Sequence, residues 1–261
     1  MPKTKISKKS VRLPAHITPQ HYKLTITPDM EAFTFVGEET IKLTSSKPGR
    51  SIILHSKDIE ILEGFLETGK LKSQIVKVTY QTKNETATLH FDKPFPAGKA
   101  RLHLNFRGVI ADSLRGFYRS QYIHNGETKR IATTQFESTD ARRAFPCFDE
   151  PAHKAIFELS LIIPKHLTAI SNTVAEKTTS ATPKGIEHDP GIKVVNFEPT
   201  PKMSTYLLAY IIGEFEKVES TTKHGVKVRI YTPLGKKHQA QFALGVAKRS
   251  LEFLNEYFAI P

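Results

Sequence analysis

From residue 13 to about residue 233, apolar and polar positions alternate in short runs. In His21 to Thr27 (HYKLTIT), Tyr22, Leu24 and Ile26 fall on one face. In FTFVGEETIKLTS, Phe33, Phe35, Ile41 and Leu43 recur around an interruption at Gly37. Side chains on an extended chain point alternately to opposite faces, so these runs predict half-buried strands. The runs SIILHS, IEILEG, QIVKVTYQT, TATLHFD and ARLHLNFRGVI follow, each rich in β-branched or aromatic residues and bounded by turn formers. KPFPAGKA reads as a Pro- and Gly-bearing connection between two antiparallel strands. The pattern resumes at FELSLIIP, LTAISNT, IKVVNFEP, the long run STYLLAYIIGEFEKVE, and VKVRIYTP. The polar stretch from Glu176 to Pro190 is predicted to be an exposed hairpin or loop. No helical period separates the runs, which predicts a mostly β domain of several antiparallel sheets rather than β-α-β units.

After Pro233 the period changes. From about Lys236 to Phe258, Phe242, Val246, Leu251, Phe253, Leu254, Tyr257 and Phe258 recur at three- and four-residue intervals, with Lys248, Arg249, Glu252 and Asn255 between them. This predicts one amphipathic helix closing the chain. Its apolar stripe needs a surface to cover it, either the chain's own sheets or a partner.

Composition narrows the function classes. The chain has 261 residues, 39% hydrophobic and 25% charged, enough for one large or two modest cores. No run of apolar residues is long enough for a membrane-spanning helix, so no membrane partner is expected. The opening MPKTKISKKSVR is basic without the apolar stretch of a secretory signal, which gives a cytoplasmic expectation. The single Cys147 agrees with it, since it has no partner in the chain for a disulfide. The net charge of +12 raises nucleic acid as a partner. Five of the charges (Lys3, Lys5, Lys8, Lys9, Arg12) stand in residues 1–12, read as a basic, poorly ordered tail. The others are scattered among acids, and no nucleic-acid-binding signature is present, so nucleic acid is not expected.

The densest chemistry lies in Thr134 to Pro151, TQFESTDARRAFPCFDEP, preceded by Gly116-Phe117-Tyr118-Arg119-Ser120. With MSTYLLAYIIGEFE (Met203 to Glu216), the opening RLPAHITPQHYKLTI and the terminal EYFAIP, these segments resemble the aminopeptidase N family of zinc metallopeptidases. The resemblance runs in order over almost the whole chain. It implies a saddle-like amino-terminal β-domain over residues 13–233, with residues 234–261 as the first helix of a thermolysin-like catalytic domain. It also implies that Glu137 holds the free α-amino group of a peptide substrate, a charge-assisted contact. Gln135, two residues earlier, lies on the same side of an extended chain and would line the same pocket. The acids Asp149 and Glu150 point to opposite faces and do not form a catalytic pair. Arg142 and Arg143 are instead expected to tie this segment down through carboxylates. Cys147 is expected to be a small buried thiol.

The family's zinc site requires His-Glu-x-x-His on a helix, which sets two imidazoles on one face with the Glu as base. None of the eleven His residues fits it, and Gly-x-Met-Glu-Asn is also missing. The expectation is therefore an amino-terminal domain that is inactive by itself and binds no zinc. The zinc of the complete family enzyme would come with a catalytic domain supplied in cis or in trans. The alternatives are a stand-alone peptide- or protein-binding β-domain, or one half of a split aminopeptidase.

Overall fold

The computed structural model describes residues 12–176 and 191–260. The expected basic tail (apart from Arg12) and nearly all of the expected loop at 176–190 lie outside the described residues. The strands are β1 (Ile17–Asp29), β2 (Thr34–Ser45), β3 (Gly49–His55), β4 (Ile59–Thr68), β5 (Leu71–Gln81), β6 (Thr86–Phe95), β7 (Gly98–Val109), β8 (Gly116–His124) and β9 (Glu127–Gln135). They continue with β10 (Ile156–Pro164), β11 (Thr168–Ser171), β12 (Ile192–Asn196), β13 (Tyr210–Gly213), β14 (Glu216–Thr221) and β15 (Lys227–Thr232). One α-helix, α1 (Gln241–Phe258), ends the described chain. The described residues are thus mostly β with a single carboxy-terminal amphipathic helix, as the periodicities predict.

Two compact units are present. The first holds the described residues of 12–119, 132–165 and 169–211; the second holds 120–131, 166–168 and 212–260. The first is built on a nine-stranded sheet in the order β12-β10-β1-β2-β7-β4-β5-β6-β3. Its neighbours run antiparallel except β1 and β10, which are parallel, with Tyr22 opposite Phe157 and Leu24 opposite Leu159. Alternation sets the faces: Tyr22, Leu24 and Ile26 of β1 and Ile41 and Leu43 of β2 are buried, with charged or hydroxylated residues between them. Each fully buried side chain of this kind stabilises the fold by roughly 1.5–3 kcal/mol.

Gly37 does not end a strand. It lies opposite Phe106 on β7, and a Cβ there would stand 2.3 Å from the Phe106 ring. Two residues earlier the roles reverse, Phe35 lying opposite Gly108. Each glycine makes room for the ring across from it, and the rings meet edge to face at 6.5 Å.

Three local expectations change. β6 and β7 flank the KPFPAGKA connection but do not pair with each other; β6 lies between β5 and β3, and β7 between β2 and β4. The long run from Ser204 is divided into the 3-10 turn Thr205–Leu207, β13 and β14. β8 and β9 carry too weak an alternation to stand out, because Phe117, Ile131 and Ala132 are their only strongly buried apolar residues.

In the second unit β14 and β15 form an antiparallel pair. Leu244 and Ala240 are buried with Val218, and Val228 and Ile230 pack against them. The Lys223 backbone N–H donates to Glu252 at 2.8 Å, and the Lys223 ammonium pairs with Glu256. The helix therefore docks one side on its own hairpin, while Phe242, Phe253, Tyr257 and Phe258 are exposed. No helix among the described residues is long and apolar enough to cross a membrane.

Candidate functional site

The motif segment begins at the end of β9, in a four-stranded sheet of order β11-β13-β9-β8. β9 has a neighbour on each side, so its end is held rather than frayed. Thr134 fixes it to β13: the Tyr210 N–H donates to the Thr134 hydroxyl at 3.0 Å, and that hydroxyl donates to the Tyr210 carbonyl at 3.3 Å. Phe136 follows, 2% exposed, with edge-to-face contacts to Phe145 at 6.1 Å and Tyr210 at 6.2 Å. Burial of Phe136 turns its two neighbours outward, and Gln135 and Glu137 are both exposed. Both expected site residues are thus at the surface, Gln135 as the last residue of β9 and Glu137 in the turn beyond it rather than on an extended strand. Glu137 stands just past the strand, in a turn closed by the Asp140 N–H donating to the Phe136 carbonyl at 2.9 Å. The Glu137–Ser138 peptide is cis.

The two arginines that follow diverge. Arg142 points inward: its Nε donates to Asp149 Oδ2 at 2.9 Å, its Nη2 to the Asp149 carbonyl at 3.2 Å and its Nη1 to Glu85 Oε2 at 3.2 Å. Lys57 shares Glu85. Burial pushes the Asp149 carboxyl up, and Arg142 opposes that push. Arg143 faces Asp140 and Asp58, each at 2.7 Å. Glu150 serves structure as well, accepting the Leu13 N–H at 2.7 Å. Phe145 and Phe148 are buried beneath.

Cys147 is fully buried, and burial together with the Asp149 and Glu39 carboxyls pushes its thiol well up. His55 is its backbone partner, the N–H and C=O of the two residues exchanging bonds at 2.9 and 3.0 Å. That proximity has no signal in the sequence, 92 positions separating the residues. The His55 ring accepts the Asp149 N–H through Nδ1 at 3.2 Å, and burial and Arg142 bring its pKa down to about 3. A neutral imidazole beside a protonated thiol is a packed core, not an activated nucleophile. Glu39 also went unnoticed in the sequence: it is 3% exposed, and burial alone drives its carboxyl well up.

A cavity of about 790 Å³ is lined by Lys57, Asp58, Glu60, Tyr80, Glu85 and Arg107 among others, so one acid bound to Arg142 (Glu85) and one bound to Arg143 (Asp58) form part of its wall. Among the described residues no group of three or more His, Cys, Asp or Glu side chains could hold a metal ion. With no His pair at helical spacing either, the residues present do not fit zinc.

Comparison with known proteins bears directly on this segment. The family model of the peptidase M1 N-terminal domain matches residues 18–207. The chain belongs to the M1 peptidase family. It is 40% identical over 250 residues to aminopeptidase M1-C of Oryza sativa subsp. japonica, covering 96% of this chain and 27% of that protein. It is likewise 40% identical over 255 residues to aminopeptidase M1 of Arabidopsis thaliana (96% and 28%). Endoplasmic reticulum aminopeptidase 1 of Homo sapiens is 39% identical over 257 residues (96% and 26%). The chain therefore spans about a quarter of the length of these M1 relatives.

Proposed function

We propose that this chain is the amino-terminal, substrate-anchoring part of a zinc-dependent metalloaminopeptidase that removes amino-terminal residues from peptides. The observation that carries this reading is the placement of Glu137. Glu137 is exposed in the turn just past a doubly flanked strand that ends at the exposed Gln135, while the residue between them is locked in the core. A carboxylate so presented suits an ammonium at a peptide end, with charge-assisted hydrogen bonds worth roughly twice neutral ones. Gln135 would line the same pocket.

Residues 13–233 form the β-domain in this reading, and 234–261 open the catalytic domain. The exposed rings of Phe242, Phe253, Tyr257 and Phe258 support it, because such an aromatic face calls for a covering surface. That surface is the catalytic domain, in cis or in trans, which also brings the zinc ligands this chain lacks. By itself the chain neither holds stoichiometric zinc nor hydrolyses peptides.

The test starts from the source DNA beyond the codon for Pro261, which should continue into Gly-x-Met-Glu-Asn and His-Glu-x-x-His. In the complete enzyme, Glu137→Gln should lower kcat/KM for a chromogenic aminoacyl substrate by about tenfold to a hundredfold. Kinetics equal to wild type would refute the anchoring role. A stop codon directly after Pro261, with no second polypeptide carrying the zinc motif, would leave the stand-alone binding domain.

A further inference from the structure

We propose that Arg143 is the positioning residue for Glu137, fixing the turn on which that carboxylate stands; the functional part of this inference rests on the anchoring role of Glu137. The turn from Phe136 to Asp140 is closed by one backbone hydrogen bond, and its tip residues Glu137, Ser138 and Thr139 are exposed. A turn held by one bond on the surface opens readily. Arg143 supplies further closure at the Asp140 corner. Its backbone N–H donates to the Asp140 carbonyl at 3.1 Å, and its Nε donates to Asp140 Oδ1 at 2.7 Å. The other arm, Nη1, donates to Asp58 Oδ2 at 2.7 Å, anchoring the corner to the residue just before β4.

The pair is partly shielded. The Arg143 side chain is 18% exposed and that of Asp140 20%, against 68% for Asp58. The bond to Asp140 is therefore the stronger leg, and the bond to Asp58 is more screened by solvent. Gly116 completes the arrangement. Its φ is +70°, and a Cβ there would stand 2.7 Å from the Arg143 Cβ, so only glycine lets the arginine stem lie so close. The two motif segments, Gly116–Ser120 and Thr134–Pro151, thus meet at Arg143. Its neighbour Arg142 turns the other way, with a side chain 9% exposed, pairing with the buried Asp149 and with Glu85.

The experiment is amide hydrogen exchange, read by NMR on the 261-residue chain, for wild type, Arg143→Ala, Arg143→Lys and Asp58→Asn. In Arg143→Ala the Asp140 amide should exchange about tenfold faster, chiefly through loss of the shielded bond to Asp140, with the exposed bond to Asp58 adding little. The amides of Leu24 and Leu161 in the central sheet should keep their wild-type rates. Arg143→Lys, which reaches one carboxylate at a time, should fall between, and Asp58→Asn should have the smallest effect. An unchanged Asp140 rate, or an equal rise at every amide, overturns the proposal. In the complete enzyme Arg143→Ala should raise KM about fivefold with kcat within about twofold. A loosened turn with unchanged KM also overturns it. The exchange result does not depend on what Glu137 binds, whereas wild-type kinetics in Glu137→Gln would refute the anchoring role alone.

Discussion

The segment from Phe136 to Phe148 and the helix α1 are both crowded with aromatic rings, but they use them in opposite ways. Phe136, Phe145 and Phe148 are at most 2% exposed, whereas Phe242, Phe253, Tyr257 and Phe258 range from 61% to 82%. In the first case the rings fill a core and aim polar neighbours outward. In the second they form a surface on a helix held to the β14–β15 hairpin by Leu244, one hydrogen bond and one ion pair. Burial, not composition, decides which aromatic cluster forms a core and which forms a surface.

Single substitutions should separate the two regions most sharply. Phe145→Ala is expected to cost about 3–5 kcal/mol in urea unfolding, through lost burial and the cavity left behind. Tyr257→Ala should stay within about 0.5 kcal/mol of wild type. Equal costs would mean that the helix surface is already covered in the isolated chain. Arg142→Ala should cost about 3 kcal/mol, because it leaves the buried Asp149 without its main partner. Leu244→Ala should cost about 2 kcal/mol, seen as faster amide exchange in α1, since it empties the small core it shares with Val218.

Acid should act on the buried segment through His55. The folded chain keeps this ring neutral down to about pH 3, while the unfolded chain protonates it below the ordinary 6.5. Between those values the unfolded state binds the extra proton, so stability falls with falling pH, by ~2 kcal/mol at pH 5. Glu39 and Asp149 act in the other direction. Their raised pKa values let the folded state keep protons that the unfolded state releases, so their contribution grows as pH falls toward the ordinary carboxyl range and is lost as pH rises. The His55 share is therefore read as the difference between wild type and His55→Gln in unfolding midpoints at pH 7 and pH 5. A constant difference would show that His55 is protonated in the folded state. The smallest effect belongs to the helix: salt should leave its docking unchanged, because the Lys223–Glu256 pair is exposed and already screened. Loss of α1 protection at high salt would instead make that pair a principal clamp.

Much of this was legible along the chain. Period-two runs gave most strands and the faces they bury, and the three- and four-residue period gave α1. The exposure of Gln135 and Glu137 followed from a single apolar residue between two polar ones. β8 and β9 escaped because few of their positions are fully buried, so their alternation is faint. The KPFPAGKA connection misled because a short Pro- and Gly-bearing link usually joins partners, whereas β6 and β7 turn away to different neighbours.

What the sequence determined by itself is local: most of the strands and the faces they bury, where the helix lies, and the order of residues that marks the M1 family. These follow from covalent geometry, which repeats every two or 3.6 residues whatever surrounds it. The tertiary structure alone decided the partners. It set β1 parallel to β10, brought His55 against Cys147, and sent Arg142 to Asp149 but Arg143 to Asp58 and Asp140. Adjacent arginines are chemically identical along the chain. Only the carboxylates that folding places around them, Glu85 and Asp58 from far along the chain among them, and the depth of burial distinguish Arg142 from Arg143.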